Sequence, residues 1–333
     1  MTDLPELAAV RRNGVIESRH FGSLLALDSD GQVAVALGDP DALVLPRSTV
    51  KPAQALAALT AGAPLAGPRL AIAAGSHTGE DEHVRVVREI LGAAGLDDSA
   101  LRCVPDWPED TPTRERMIRA HEHEAPIRMN CSGKHAGMLL AAAVNGWETA
   151  RYLDLDHPLQ QHTRATVARL TGVAVDADAV DGCGAPLFGT SVRGLARMFR
   201  RLVTAEPGSA EHAIAEAMRR HPYYVGGSGH QNSLTMTLVL GALAKGGAEG
   251  VIAVAAATGE AVAMKIADGN PRATTMIALE ALAALGVDVC GAGQLRELPV
   301  LGGGRRVGEI IPGEGLAAAL AKLPAPPASL VRL

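Results

Sequence analysis

Ser23-Leu-Leu-Ala-Leu-Asp28, Ser29-Asp-Gly31 and Gln32-Val-Ala-Val-Ala-Leu37 follow one another without a break. Two short apolar runs around a Ser-Asp-Gly turn read as a β-hairpin, because glycine supplies the positive φ that tight hairpin turns need. Near the other end, Val251-Ile-Ala-Val-Ala-Ala256 and Ala261-Val-Ala-Met-Lys-Ile266 flank Thr258-Gly-Glu260 in the same way. Between the hairpins the apolar spacing turns helical, with helices predicted over 53–61, 81–94, 136–144, 159–170, 191–203, 210–220 and 233–244. A further helix is expected over 273–285, where Pro271 suits a helix start. The pattern predicts an α+β fold, with one mostly antiparallel sheet built by both chain ends and covered by helices. It is read as a single catalytic domain over residues 1–333, with a helical subdomain at about 80–220 inserted in it. Linker-like composition appears at 105–112 and in the proline-rich stretch 324–327.

The chain has 333 residues, enough for one large domain or two ordinary ones. It has only two Trp, three Tyr and three Phe, so an Ala, Val, Leu and Ile core is expected and a base-stacking surface is not. A net charge of −5 also argues against a nucleic-acid partner. The first 20 residues carry Glu, Arg and Asp without an apolar centre, unlike a signal peptide. No stretch approaches the roughly 20 apolar residues that span a bilayer. The expected location is therefore the cytoplasm, and the four cysteines are expected as thiols or metal ligands rather than disulfides.

Only five of the 31 basic residues are lysine: Lys51, Lys134, Lys245, Lys265 and Lys322. Arginine stays charged at any working pH, whereas a desolvated lysine can give up its proton and act as a base or ligand. Three of the five lie in segments that suggest chemistry. Ser48-Thr-Val-Lys51 has the spacing that puts a hydroxyl and an amine on one face of a helical turn. Pro52 keeps a regular helix from starting much earlier, which leaves Ser48 near unpaired amides at the helix start. A capping serine would explain the same residue. Ser76 follows the apolar run 70–74, taken as a strand, and sits at a strand-to-helix corner where Thr78 and Asp81 can form a capping box.

Asn130-Cys-Ser-Gly-Lys-His-Ala-Gly137 and Asp181-Gly-Cys-Gly184 each set a cysteine beside glycine. Cys131 and Cys183, with either Lys134 or His135, would give a tetrahedral zinc site with one open position. From general chemistry His135 is the preferred third ligand, and buried small cysteines in tight turns are the alternative. The loop Gly226-Gly-Ser-Gly229 is a candidate cradle for a substrate carboxylate, as is Arg47. His121 and His123 alternate with glutamates in what reads as a solvated helix.

Taken together and in order, Arg47-Ser-x-x-Lys-Pro52, Gly75-Ser-His-x-Gly-Glu80, the two cysteine segments, Gly226-Gly-Ser-Gly229 and Lys265-Ile-x-Asp-Gly269 resemble the rhizobial-type (class 3) L-asparaginases of the L-asparaginase II family. The resemblance runs from about residue 15 to 311. It implies a fold like serine β-lactamases and glutaminases, a homodimer, and L-asparagine as the small-molecule substrate. It also implies two serine–lysine tandems, Ser48 with Lys51 and Ser76 with Lys265. Zinc is implied at Cys131, Lys134 and Cys183 with Asp181 close by, so the lysine replaces His135 as the implied ligand. The zinc is expected to position substrate or tune the lysines. The chain departs from the pattern at Gly229-His-Gln-Asn232, where the family tends to carry Arg-Phe-Asp. In the expected reaction Ser48 attacks the side-chain amide, an uncharged Lys51 takes its proton, and Ser76 with Lys265 relays a proton to the leaving ammonia. Rival readings are a glutaminase, a zinc-dependent amidohydrolase using Cys131, Cys183 and His135, and a non-catalytic amino-acid-binding protein.

Overall fold

The computed structural model describes residues 4–175 and 177–324, so part of the proline-rich stretch, 325–327, lies outside the described residues. The chain divides into two compact units. One comprises Met1–Thr49, Thr190–Thr204 and Thr235–Leu333, and the other Val50–Gly189 and Ala205–Leu234.

The first unit carries the sheet that the terminal hairpins predict. Its strand order is Leu298–Gly302, Arg305–Pro312, Glu6–Arg12, Val15–Leu27, Ala261–Ile266, Val251–Ala255 and Leu243–Gly247, with Val33–Leu37 also paired to Val15–Leu27. Every pairing is antiparallel. Leu24 pairs with Leu37 across the Ser29-Asp-Gly31 turn, and Ala261 with Ala255 across Thr258-Gly-Glu260. The strands at 251–255 and 261–264 are buried on both faces, which is why they read as unbroken apolar runs rather than alternating ones. Helices Val192–Val203 and Thr274–Ala284 pack on them. In Val192–Val203 the apolar positions fall on one side and its arginines on the other, as a helix lying on a sheet requires.

The second unit is mainly helical: Lys51–Thr60, Gly67–Ala73, Asp81–Ala93, Thr111–Arg119, Ser132–Val144, Pro158–Thr171, Ala210–Arg220 and the short Pro222–Val225. Helix Ser132–Val144 runs through its centre against the 51–60, 67–73 and 81–93 helices, and its positions 132–142 are all buried. Helix Gln231–Leu238 spans the sequence boundary of the two units. No helix of the described residues is long and apolar enough to cross a membrane.

Several expectations are corrected. The run Leu70–Ala74 ends a helix rather than forming a strand. A five-residue run of buried Leu, Ile and Ala carries no period to separate the two, and Pro68 at the helix start was the available signal. The helix expected over 233–244 stops at Leu238, and Leu243–Gly247 is a strand. His121 and His123 lie beyond the end of helix Thr111–Arg119, and His121 has a positive φ of 57°. The cap of helix Asp81–Ala93 is Glu80, reciprocated by His83, not Thr78 with Asp81.

Candidate active site

In the helical unit the site starts at Lys51. A turn of 3-10 helix, Arg47–Val50, precedes it, and Pro52 fixes the first turn of helix Lys51–Thr60. Its side chain is fully shielded from solvent. A buried amine must be hydrogen-bonded. Nζ donates to Ser76 Oγ at 2.8 Å and to the Asn130 carbonyl at 3.3 Å, and it lies against the Cys131 sulfur. Ser76 is itself buried, and its backbone N–H donates to the Val225 carbonyl. The Asn130 carbonyl also takes the His77 N–H at 3.2 Å.

Cys131 caps helix Ser132–Val144, so Lys134 occupies that helix's first turn. Lys134 Nζ lies 3.0 Å from Cys183 Sγ, and Cys183 Sγ lies 3.8 Å from Asp181 Oδ2. The two sulfurs share a hydrogen bond. That bond, with the amines of Lys51 and Lys134 nearby, draws the Cys131 thiol well below its ordinary range despite burial. The same bond and burial push Cys183 up. The pair therefore gives up one proton readily and holds the other. Burial alone would discharge Lys134, but the two cysteines and Asp181 beside it hold its amine above the ordinary lysine range.

Among the described residues no three His, Cys, Asp or Glu side chains converge as a metal site. His135 is not grouped with the two cysteines: its Nδ1 lies 2.6 Å from the Tyr152 hydroxyl, and its buried Nε2 has no hydrogen-bond partner among the described residues. Two sulfurs and the Lys134 amine, all buried in one cluster, do fit zinc by donor chemistry, with a fourth position left over.

In the glycine loop after Tyr224, two of the amides expected to cradle a carboxylate are already engaged. Gly227 N–H donates to Ser233 Oγ at 3.1 Å, and Ser228 N–H to Glu80 Oε1 at 2.8 Å. Desolvation would raise the Glu80 carboxyl, but the Ser228 N–H first, and then the hydroxyls of Thr78 and Ser228, draw it below the usual range. A Cβ on Gly227 would sit 1.9 Å from Thr78 Oγ1, so only glycine lets the loop close on the Ser76–Glu80 corner.

In the sheet unit, Ser48 is half-buried in the Arg47–Val50 turn. Arg47 enters that turn at a φ of 51°, a conformation that costs a non-glycine residue about 1–3 kcal/mol. Its guanidinium lies 3.8 Å from Glu249, another positive-φ residue. Strand Leu243–Gly247 meets the turn directly. A Cβ at Gly247 would be 2.9 Å from the Pro46 carbonyl and 3.2 Å from Ser48 N. Lys265 is half-buried, and its amine donates to the carbonyls of Glu249 and Ile266, each at 2.6 Å. Desolvation holds it below the ordinary lysine range, with Glu249 and Asp268 opposing. Lys265, Arg47, Glu249, Ser23 and Leu43 line a cavity of about 520 Å³.

One lysine escaped the sequence reading. Lys245 is fully buried on strand Leu243–Gly247 and donates to the Gly246 carbonyl at 2.6 Å. Side chains two apart on a strand share a face, so Lys245 is on the face that Gly247 turns to the Ser48 turn. The signal available was a lone cation in an apolar run closed by Lys-Gly-Gly247, which the helical assignment of 233–244 concealed.

The model of the family described as L-asparaginase II matches residues 8–312. No curated protein matches the chain. Among solved structures, a β-lactamase from Mycobacterium bovis aligns with a TM-score of 0.45 at 18% identity, covering 79% of this chain and 93% of that one. A hydrolase with promiscuous acyltransferase activity aligns at 0.43 and 13%, covering 78% and 93%. Simvastatin synthase from Aspergillus terreus aligns at 0.41 and 10%, covering 83% and 92%.

Proposed function

The chain belongs to the L-asparaginase II family, and from that premise we propose that it hydrolyses L-asparagine to L-aspartate and ammonia, as a rhizobial-type enzyme working through an acyl-enzyme. The observation that carries the reading is the solvent-excluded contact of Lys51 Nζ with Ser76 Oγ at 2.8 Å. A hydroxyl is a poor nucleophile until a base takes its proton, and a lysine kept from water and hydrogen-bonded to a serine hydroxyl is placed to move that proton.

Ser48 Oγ attacks the side-chain amide carbon and Lys51 takes the hydroxyl proton. The C–N bond then breaks, and ammonia leaves with a proton passed from Lys51 through Ser76. Water hydrolyses the resulting aspartyl ester and restores Ser48. Lys265 is the second amine that the resemblance assigns to Ser76. Lys245 is a second candidate for the proton relay, because it is fully buried and faces the Ser48 turn.

Cys131, Lys134 and Cys183 would hold zinc, with Asp181 alongside. Bound there, zinc would supply positive charge to orient a substrate oxygen. The chain's own side chains carry the proton transfers. A homodimer is part of the same reading.

A second assignment has a specific observation in its favour: Lys51 touches Ser76, so Ser76 can be the acylated residue. Rapid quenching of the enzyme with asparagine, followed by peptide mass spectrometry, separates the two. The proposal expects the aspartyl adduct on the peptide containing Ser48 and its loss in Ser48→Ala. An adduct on the Ser76 peptide would exchange the roles, and ammonia release with no adduct in either would remove the acyl-enzyme.

A further inference from the structure

The amide that reacts in L-asparagine is joined through Cβ and Cα to an ammonium group, and a site that takes the whole amino acid needs an acceptor for it. The cluster built around Lys51 and Lys134 is itself rich in amines. The charged Lys134 amine already engages Cys131, Cys183 and Asp181, so an ammonium entering beside it needs a carboxylate of its own. The geometry points to Glu109 as the residue that receives the substrate's α-ammonium, an inference that rests on the asparaginase reading.

Glu109 Oε1 accepts from Asn130 Nδ2 at 2.6 Å. Asn130 is the residue whose carbonyl takes the Lys51 amine, and its own side-chain oxygen lies 3.1 Å from Cys131 Sγ. One short side chain thus separates the Glu109 carboxylate from the Lys51–Ser76 contact. Glu109 is exposed, and among the described residues Asn130 is its only partner, so the second carboxylate oxygen is open to a ligand. Glu80 spends both oxygens on Ser228 and Thr78, while Asp110 and Asp106 turn an oxygen to the nearby backbone N–H groups of Thr113 and Trp107, and of these carboxylates only Glu109 is tied to Asn130. Asp181 lies with Cys183 and Lys134. The Asn130 amide fixes where the Glu109 carboxylate stands, and a bound ammonium would occupy the lone pairs it leaves.

The test compares ligands that differ only in the amino group, in the wild type and in Glu109→Gln. Glutamine keeps an oxygen for Asn130 and removes only the charge. Calorimetric binding of L-aspartate and of succinate needs no turnover. The wild type is expected to favour aspartate, and Glu109→Gln to lose about tenfold or more of that preference. The ratio of kcat/KM for asparagine over succinamate is expected to fall by a similar factor. A preference for aspartate that is undiminished in the variant overturns the assignment. So does an equal loss on both ligands, which would mean a merely structural role. Absence of ammonia release from asparagine would sink the asparaginase reading, while a lost aspartate preference would still support Glu109 as the ammonium acceptor.

Discussion

Lys245 and Lys265 stand on the same face of the same sheet, with one strand between them. Lys265 pairs in register with Val251 and Lys245 with Ala253, and paired or next-but-one residues share a face. Yet their surroundings differ. Lys265 opens on a cavity and spends hydrogen bonds on two backbone carbonyls, whereas Lys245 is closed off from solvent beside the strand end that meets the Ser48 turn. The motif Lys-Ile-x-Asp-Gly269 singles out the first, and burial singles out the second. A buried amine is costly unless its surroundings use it, so burial is the stronger physical argument for proton chemistry. Lys51, in the helical unit, has the same solvent-excluded character as Lys245.

The largest effect expected is at Lys51. Lys51→Arg keeps the charge but gives a group that does not release its proton, and kcat is expected to fall by about 100- to 10,000-fold, the range for loss of a positioned base. Ammonia release near the wild-type rate would remove Lys51 from the proton path. Next, Lys245→Met and Lys265→Met set the two amines against each other. If the buried lysine is the relay, the first change lowers kcat by about 100-fold and the second by less than about tenfold. The reverse order would return the role to Lys265. Thermal melts of both proteins separate lost chemistry from lost folding.

The cysteine cluster gives a smaller effect. Treatment with a chelator is expected to raise KM by about tenfold while kcat changes less, because the proton path proposed here does not pass through the metal. Loss of kcat to background, restored by added zinc, would point to a metal-activated water instead. Cys183→Ser should reproduce the chelated behaviour and no longer respond to zinc.

Much of the fold and part of the candidate site are legible in the sequence. The two terminal hairpins fixed the sheet because their turn residues and apolar runs are local signals, readable within about fifteen residues. Cys131 and Cys183 stand out because their segments are rich in glycine, Lys134 displaces His135 as third member through the family resemblance alone, and the three side chains lie together. What could not be read was burial. Within Leu238–Lys245 only Gly241, at a φ of 73°, marks where the helix gives way to a strand, and an apolar run on both sides of it hides Lys245. Nor does the loop's composition tell whether its amides are free. Gly226–Gly229 had the glycines of an anion cradle, but Glu80, remote in sequence, had taken the Ser228 amide. Glu109 carries no motif at all and is recognisable only by the Asn130 side chain that holds it.

The smallest effect concerns how the corner beside Ser76 is held. His77 is fully buried, accepts the Gly79 N–H at Nδ1 and faces Ser132 Oγ with Nε2. Ser132 Oγ donates onward to the Ile127 carbonyl, so Nε2 carries the ring's proton and Nδ1 must stay bare. Protonating Nδ1 would set two N–H groups against each other. Burial first, and then the positive charges of His83, Lys51 and Arg128, hold this ring well below the ordinary histidine range. A depressed histidine contributes stability that is complete above its unfolded value near 6.5 and is lost as pH falls below it, because there the unfolded chain binds the extra proton. From pH 6.5 to 5.0 that loss is at most about 2 kcal/mol. His77→Asn cannot titrate, so its denaturant-derived stability should fall less over this interval than that of the wild type, although it starts lower. Parallel pH dependence in the two proteins would show that His77 takes up its proton in the folded state, and the hydrogen-bond order drawn here for the Ser76 corner would then be wrong.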